Sequence, residues 1–273
     1  MSTAALVLAL SAALVHALWN VLVGGARDPQ PAAAVAMLAS VAVGLPLAVA
    51  TWDVQAGVVP WAVASAVLEL AYIVLLAAAY RRADVSVIYP IARGAAPVLV
   101  LAAAIVTGVA TGPLQLAGVL LVAGGIGIVS RSRDRAGGRD VLLALTVAAS
   151  IAGYTLVDKH GLRYASPVPY LELVMVWPAL IYAGYVAVTD GTGALRAAVG
   201  RSALIAGAGM FLAYALVLAA LERAPAAAVS AVRESSIVIA PLLAAALVHQ
   251  PLTRRTLPGA VLVAAGVVLV ALA

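Results

Sequence analysis

The chain has 273 residues, of which 65% are hydrophobic and only 10% charged. Soluble domains average about 45–50% apolar and about 25% charged residues, so a water-solvated fold is excluded and the chain is read as an integral membrane protein. The net charge of +5 then reads as a topology signal carried by arginines in short connections, not as a nucleic-acid footprint, and the lack of any cysteine excludes disulfides, thiol nucleophiles and thiolate metal sites.

The chain opens with MSTAALVLALSAALVHALWNVLVGG, which has no basic residue before its apolar run. That run is long enough to span, so a first membrane helix is expected here and not a cleaved signal peptide. A bilayer core needs about 20 apolar residues per helix. Cutting the sequence at its charges, glycines and prolines predicts ten: 3–24, 31–51, 58–80, 85–106, 112–130, 140–158, 168–189, 202–221, 225–248 and 256–272. Connectors such as GARDPQP, WDVQAG and RRAD are short and leave no room for a soluble domain. Open strands would expose unpaired backbone groups to lipid. The predicted fold class is an all-α integral membrane protein of ten transmembrane helices.

The basic run SRSRDRAGGRD, residues 130–140, divides the chain near its middle and invites a search for a repeat. GVLLVAGGIGIV from Gly118 aligns without gaps on GAVLVAAGVVLV from Gly259. Ala71-Tyr72 before Arg93 parallels Ala213-Tyr214 before Arg233, and LWNVLV from Leu18 parallels GYTLVD from Gly153. These collinear matches predict a five-helix repeat over 1–130, a basic connecting loop over 131–139 and a second five-helix repeat over 140–273. With an odd number of spans each, the halves are expected in opposite orientations, as in transporters whose substrate site lies between inverted repeats. Arg27, Arg81, Arg82, Arg131, Arg133, Arg135, Arg139, Arg196, Arg201, Arg254 and Arg255 fall in odd-numbered connections, whereas only Lys159, Arg163 and Arg223 fall in even ones. The positive-inside rule therefore favours cytoplasmic odd connections and both termini outside.

A charge at the centre of a membrane helix costs about 2.5–3.5 kcal/mol on insertion scales. Arg93 in the fourth span and Arg233-Glu234 in the ninth are repeat-related and lead the candidate substrate site. Tyr89 is four residues before Arg93 and shares its helical face. Pro90 and Pro97 flank that arginine, and a helix broken there would offer backbone groups to a ligand. Arg233 and Glu234, about 100° apart on a helix, are each expected to need a partner from another helix. His16, Trp19 and Asn20 in the first span and Tyr72 in the third complete the candidate set; His16 and Asn20 share one helical face, where hydrogen bonding to another helix is the reading that stands beside substrate contact. Glu69 and Glu234 are candidates for carrying a coupling proton. For each of these a structural reading, an ion pair or hydrogen bond bracing the bundle, stands beside the functional one. Glu172 and Asp158, near span ends, are expected to be solvated and structural. Trp52, Trp61 and Trp177 read as interfacial anchors. Glycines 118, 124, 125, 127, 259 and 266 read as sites of close helix packing. No HExxH, GxSxG, P-loop or metal-ligand spacing is present, so neither an enzyme nor a cofactor or metal site is expected.

The opening LVHALWNVLVGGARDP, the fourth-helix stretch ADVSVIYPIARGAAPVLV and the closing LERAPAAAVSAVRESSIVIAPLLAAALVHQPLTRRTLPGAVLVAAGVVLVAL resemble the EamA family of the drug/metabolite transporter superfamily. That resemblance implies a secondary transporter or exporter of small metabolites, working by alternating access around a cavity between the repeats. It places Tyr89, Arg93, Arg233 and Glu234 near that cavity, although RESS departs from the small residues or proline that many relatives carry there. Two arginines favour a substrate with an anionic group, because guanidinium forks bind carboxylates and phosphates bidentately. The expected partners are the bilayer and a small-molecule substrate but no nucleic acid, with the protein a monomer or homodimer. Heavy use of arginine and alanine points to a GC-rich bacterial genome and hence a bacterial inner membrane. A flippase-like protein for a polar-headed lipid and a non-transporting partner subunit are the competing readings.

Overall fold

The computed structural model describes the backbone over residues 1–80, 85–129, 137–248 and 256–273, and the side chains over the same residues except 77–80, 85–90, 129, 241, 244–248 and 256. The described chain is helical apart from short connections and one isolated bridge between Val54 and Ala165. In chain order the helices are α1 (Thr3–Gly24), α2 (Pro29–Ala50), α3 (Val59–Tyr80), α4 (Val85–Val106), α5 (Pro113–Val129), α6 (Gly138–Gly161), α7 (Pro167–Thr189), the short α8 (Thr192–Ala198), α9 (Arg201–Arg223), α10 (Ala226–Arg233), α11 (Ser236–Val248) and α12 (Thr256–Leu272). A single 3-10 turn, Ala56–Val58, precedes α3. Among the described residues, six stretches are long and apolar enough to cross a bilayer, in α1, α2, α3, α6, α7 and α9, and shorter apolar stretches lie in α4, α5 and α12.

The surface is inverted relative to a soluble protein. α1 buries Ala5, Ala9, Ala12, Ala13 and Ala17, while Val7, Leu10, Leu14 and Leu18 face out. Small residues inside let helices approach closely, and the bulky apolar ones meet lipid. Val49, Val67, Leu142 and Val188 are likewise exposed, a surface that water would drive to aggregate.

α5 packs against α12, α1 against α9, and α3 against α6. α2 contacts α7 and α9, α3 also contacts α7, α4 lies on α6 and α10, and α1 also touches α10 and α11. The α5–α12 crossing depends on glycine. A Cβ on Gly118 would lie 2.7 Å from the Gly266 carbonyl oxygen, and one on Gly266 would lie 2.6 Å from that of Gly118. Gly125 faces the Gly259 carbonyl in the same way, at 2.8 Å. Gly124 and Gly127 have nothing within 4 Å, so the close-packing expectation fails for them: they lie on the other faces of α5. Gly118→Leu and Gly266→Leu are each expected to destabilise the protein by about 1–3 kcal/mol, the usual cost of overpacking, and Gly124→Leu to leave it unchanged. Melting curves in detergent compare the three.

Two expectations about breaks are reversed. α4 runs unbroken through Pro90 and Pro97, because neighbouring helices and local adjustments re-satisfy the freed backbone groups in a membrane helix. The break lies instead between α10 and α11, at Glu234-Ser235. There the Ser235 hydroxyl donates to the Val232 carbonyl at 2.7 Å, a local bond that competes with the helical ladder. Trp177 sits at the middle of α7 and is 64% exposed, so position along the helix contradicts its assignment as an interfacial anchor.

Candidate functional site

A cavity of about 560 Å³ lies between α1, α2, α3, α4, α6, α7, α9 and α10. Its wall follows one half of the bundle. It runs from Ala12 to Val23 at the C-terminal half of α1, from Pro29 to Met37 at the start of α2, and from Glu69 to Leu76 at the end of α3. These are the halves that lead to the arginine-bearing odd-numbered connections. At the other end the cavity stops short, and the α2–α3 and α6–α7 connections clasp each other. The Gln55 amide donates to the Tyr164 carbonyl at 2.8 Å and the Ser166 amide to the Asp53 carbonyl at 3.1 Å, on either side of the Val54–Ala165 bridge.

Arg93 from α4 and Arg233 from α10 both line the cavity and converge on one carboxylate. Arg93 Nη1 donates to Glu234 Oε1 and Oε2 at 3.2 and 3.3 Å, and Arg233 donates to Oε1 from Nη2 at 3.0 Å and Nε at 3.3 Å. Glu234 itself is fully buried and does not line the cavity. The expectation that Arg233 needs a partner from another helix fails: the backbone is still helical at Glu234, and the long Arg233 side chain bends round to reach its neighbour's Oε1. Arg93 does receive its expected partner from another element.

His16 lines the cavity, and its Nε2 lies 2.8 Å from Arg93 Nη2. Guanidinium only donates, so Nε2 is the acceptor and the ring is held neutral there. Of the two, His16 makes a hydrogen bond between helices, to Arg93, whereas the Asn20 side chain donates to the His16 backbone carbonyl at 2.8 Å within α1. Trp19, edge-on to His16, and Tyr72 complete the predicted residues on the wall; the side chain of Tyr89 lies outside the described residues. Glu69 also lines the cavity and faces Tyr214, Asp158 and the two arginines.

Sequence reasoning left several wall residues unnamed. Tyr154, Tyr182, Tyr214, Met37, Met175 and Met210 add aromatic and thioether side chains to the wall. Tyr154 stands between Tyr72 and Tyr214, with ring centroids 6.2 and 6.4 Å away, and beneath the Arg233 guanidinium at 5.8 Å. The repeat alignment held the signal for two of them, because it pairs Trp19 with Tyr154 and Tyr72 with Tyr214.

Asp158 and Glu172 depart from expectation. Asp158 is 1% exposed, where a solvated span end was expected. Its carboxylate accepts from Ser65 Oγ at 2.5 Å, Tyr170 OH at 3.0 Å and Tyr214 OH at 2.8 Å, so α3, α6, α7 and α9 meet on it at the closed end. Lys159 beside it caps α9, donating Nζ to the carbonyls of Leu221 and Ala224. Glu172 is also buried, close to Gly44 and Phe211, because α2 and α9 cover that turn of α7. Among the described residues no group of three or more His, Asp or Glu is arranged to hold a metal ion.

A solved crystal structure of a protein 17% identical in sequence superposes with a TM-score of 0.79, over 100% of this chain and 98% of that one. At that identity the likeness concerns the fold alone. No curated protein matches the sequence. The model of the EamA-like transporter family matches residues 139–272, which span α6 to α12 and include Asp158, Arg233 and Glu234. Over those residues the chain is similar to the EamA-like transporter family, and its apolar helices make it a multi-pass membrane protein.

Proposed function

We propose that the protein is a secondary transporter, exporting or exchanging a small metabolite with an anionic group by alternating access around the central cavity. The carrying observation is that two guanidinium groups on the cavity wall share a single carboxylate. Guanidinium forks on a cavity wall bind carboxylates and phosphates well, so an anionic group entering the cavity has two cations to meet. Glu69, the other carboxyl on the wall, is proposed to carry the coupling proton. Flux that follows an imposed pH gradient in the wild type and ignores it in Glu69→Gln is the expected result; flux indifferent to the gradient in both removes the proposal.

The ten-span inverted repeat, with units 1–130 and 140–273, belongs to the same reading. Its support is an exchange symmetry in the packing. Pairing α1–α5 with α6, α7, α9, α10/α11 and α12 turns the α1–α9 contact into α6–α3, α2–α9 into α7–α3, and α4–α6 into α10–α1. The α5–α12, α2–α7 and α4–α10 contacts map onto themselves. The wall carries the related pairs Trp19/Tyr154, Tyr72/Tyr214 and Arg93/Arg233. Under the positive-inside reading both termini lie outside, in a bacterial inner membrane, and the cavity faces the cytoplasm.

Alternating access requires the clasped end to open. Val54 and Ala165 form a non-hydrogen-bonded antiparallel pair, whose Cα atoms are typically about 4.5 Å apart and within disulfide range. The chain contains no cysteine, so Val54→Cys/Ala165→Cys has no competing thiol. Oxidation is expected to abolish flux in proteoliposomes and reductant to restore it. Wild-type flux through the oxidised protein would contradict opening at this end.

A further inference from the structure

We propose that Glu234 is an internal stand-in for the substrate: a substrate carboxylate replaces it on Arg93 and Arg233, and Ser230 and Ser236 receive the displaced side chain. This rests on the anionic-substrate reading above and narrows it to monocarboxylates with an apolar body.

Three observations carry the proposal. First, the arginines are reached from both sides: they line the cavity, while the carboxylate they hold is 0% exposed behind them. Second, that carboxylate is held loosely. The four contacts are 3.0, 3.2, 3.3 and 3.3 Å, whereas strong charge-assisted pairs are typically about 2.7–2.9 Å. One carboxylate is divided between two forks, whereas guanidinium prefers a bidentate pair with a carboxylate of its own.

Third, the hydroxyls of Ser230 and Ser236 have no hydrogen-bond partner, although these residues are only 1% and 2% exposed. A buried polar group without a partner is a standing cost, and few native groups carry it without a reason. Both flank Glu234. Ser230 lies four residues earlier, and its carbonyl accepts the Glu234 amide at 3.2 Å. Ser236 begins α11, two residues after Glu234; the amides of Ile237, Val238 and Ile239 already donate to the Glu234 and Ser235 carbonyls, so the hydroxyls are the idle donors there. A carboxylate leaving the arginines thus has two idle hydroxyl donors close by in sequence.

The exchange is balanced only for a ligand carrying one negative charge in a planar fork, which is a carboxylate. A dianionic phosphate would bring two charges where one stood. The wall around the arginines, with Trp19, Tyr182, Met37, Met175 and Met210, suits an aromatic or apolar body.

The test uses purified full-length protein as wild type, Glu234→Gln and Ser230→Ala/Ser236→Ala. Binding of phenylacetate, phenylacetamide and phenethylamine is followed by calorimetry, and melting is recorded without ligand. The wild type is expected to bind phenylacetate and neither neutral nor cationic analogue. Glu234→Gln is expected to bind it about tenfold more tightly, because the competing internal state no longer lowers the competent fraction. The serine variant is expected to melt at or above the wild-type temperature yet bind about fivefold more weakly, having lost the receiver for Glu234. Equal affinities in all three proteins overturn the stand-in and leave the anionic reading intact. So does a serine variant that melts lower without ligand, since its hydroxyls would then already serve the empty state. Failure of the wild type to prefer the carboxylate overturns both readings. If Glu234→Gln does not fold, the serine variant decides alone.

Discussion

Asp158→Ala is expected to destabilise the protein more than any other single polar substitution at the closed end. The change strands the hydroxyls of Ser65, Tyr170 and Tyr214, which all donate to this carboxylate from other helices. Hydrogen bonds to charged groups contribute about 1.5–3 kcal/mol each, and a buried donor left alone carries its own desolvation penalty. A loss of roughly 3 kcal/mol or more follows. Ser65→Ala and Tyr170→Phe each remove one donor and leave the others bound, so each costs less. Asp158→Asn keeps one acceptor and falls between. Detergent melting curves order the four variants, and Asp158→Ala melting with the wild type would dissolve the idea that α3, α6, α7 and α9 are tied at this carboxylate.

The arginine pair gives the second large effect, in two parts. In Arg93→Gln, Glu234 keeps Arg233, and in Arg233→Gln it keeps Arg93. Each single variant is expected to fold and to lose anion flux by at least about tenfold, a factor that corresponds to only about 1.4 kcal/mol of binding. The double variant leaves a wholly buried carboxylate without either cation. Uncompensated buried charge costs roughly 3–5 kcal/mol, so the double variant is expected to fold poorly. Single variants that transport at the wild-type rate would make the arginines braces and nothing more.

How much of this could be read from the sequence differs by kind of feature. The bilayer sets helix length, and charges, glycines and prolines mark the ends, so the predicted 3–24, 85–106 and 256–272 coincide with α1, α4 and α12, the others shift by a few residues, and 225–248 divides into α10 and α11. The wall residues Arg93, Arg233, His16, Trp19, Asn20, Tyr72 and Glu69 were reachable because polar residues in apolar spans are conspicuous. The break at Glu234-Ser235 was not. Prolines in α4 drew the prediction, whereas the interruption lies where the Ser235 hydroxyl donates to the Val232 carbonyl. Asp158 was misread because distance from a span end does not reveal which helices cover it. Two of its four helices, α3 and α9, are distant in sequence, and nothing in the order of residues announces that Ser65 and Tyr214 meet there.

The central claim is that this cavity takes an anion on Arg93 and Arg233. The most direct measurement is the thermal shift of purified wild-type protein against metabolites sorted into anionic, zwitterionic, neutral and cationic classes. A ligand at a hundredfold excess over its dissociation constant stabilises the folded state by about 2.7 kcal/mol, which a melting curve resolves. Stabilisation confined to compounds bearing an anionic group, and lost in Arg93→Gln that still folds, is the predicted result. Stabilisation by cations or neutral compounds alone, or an unchanged response in Arg93→Gln, would contradict it.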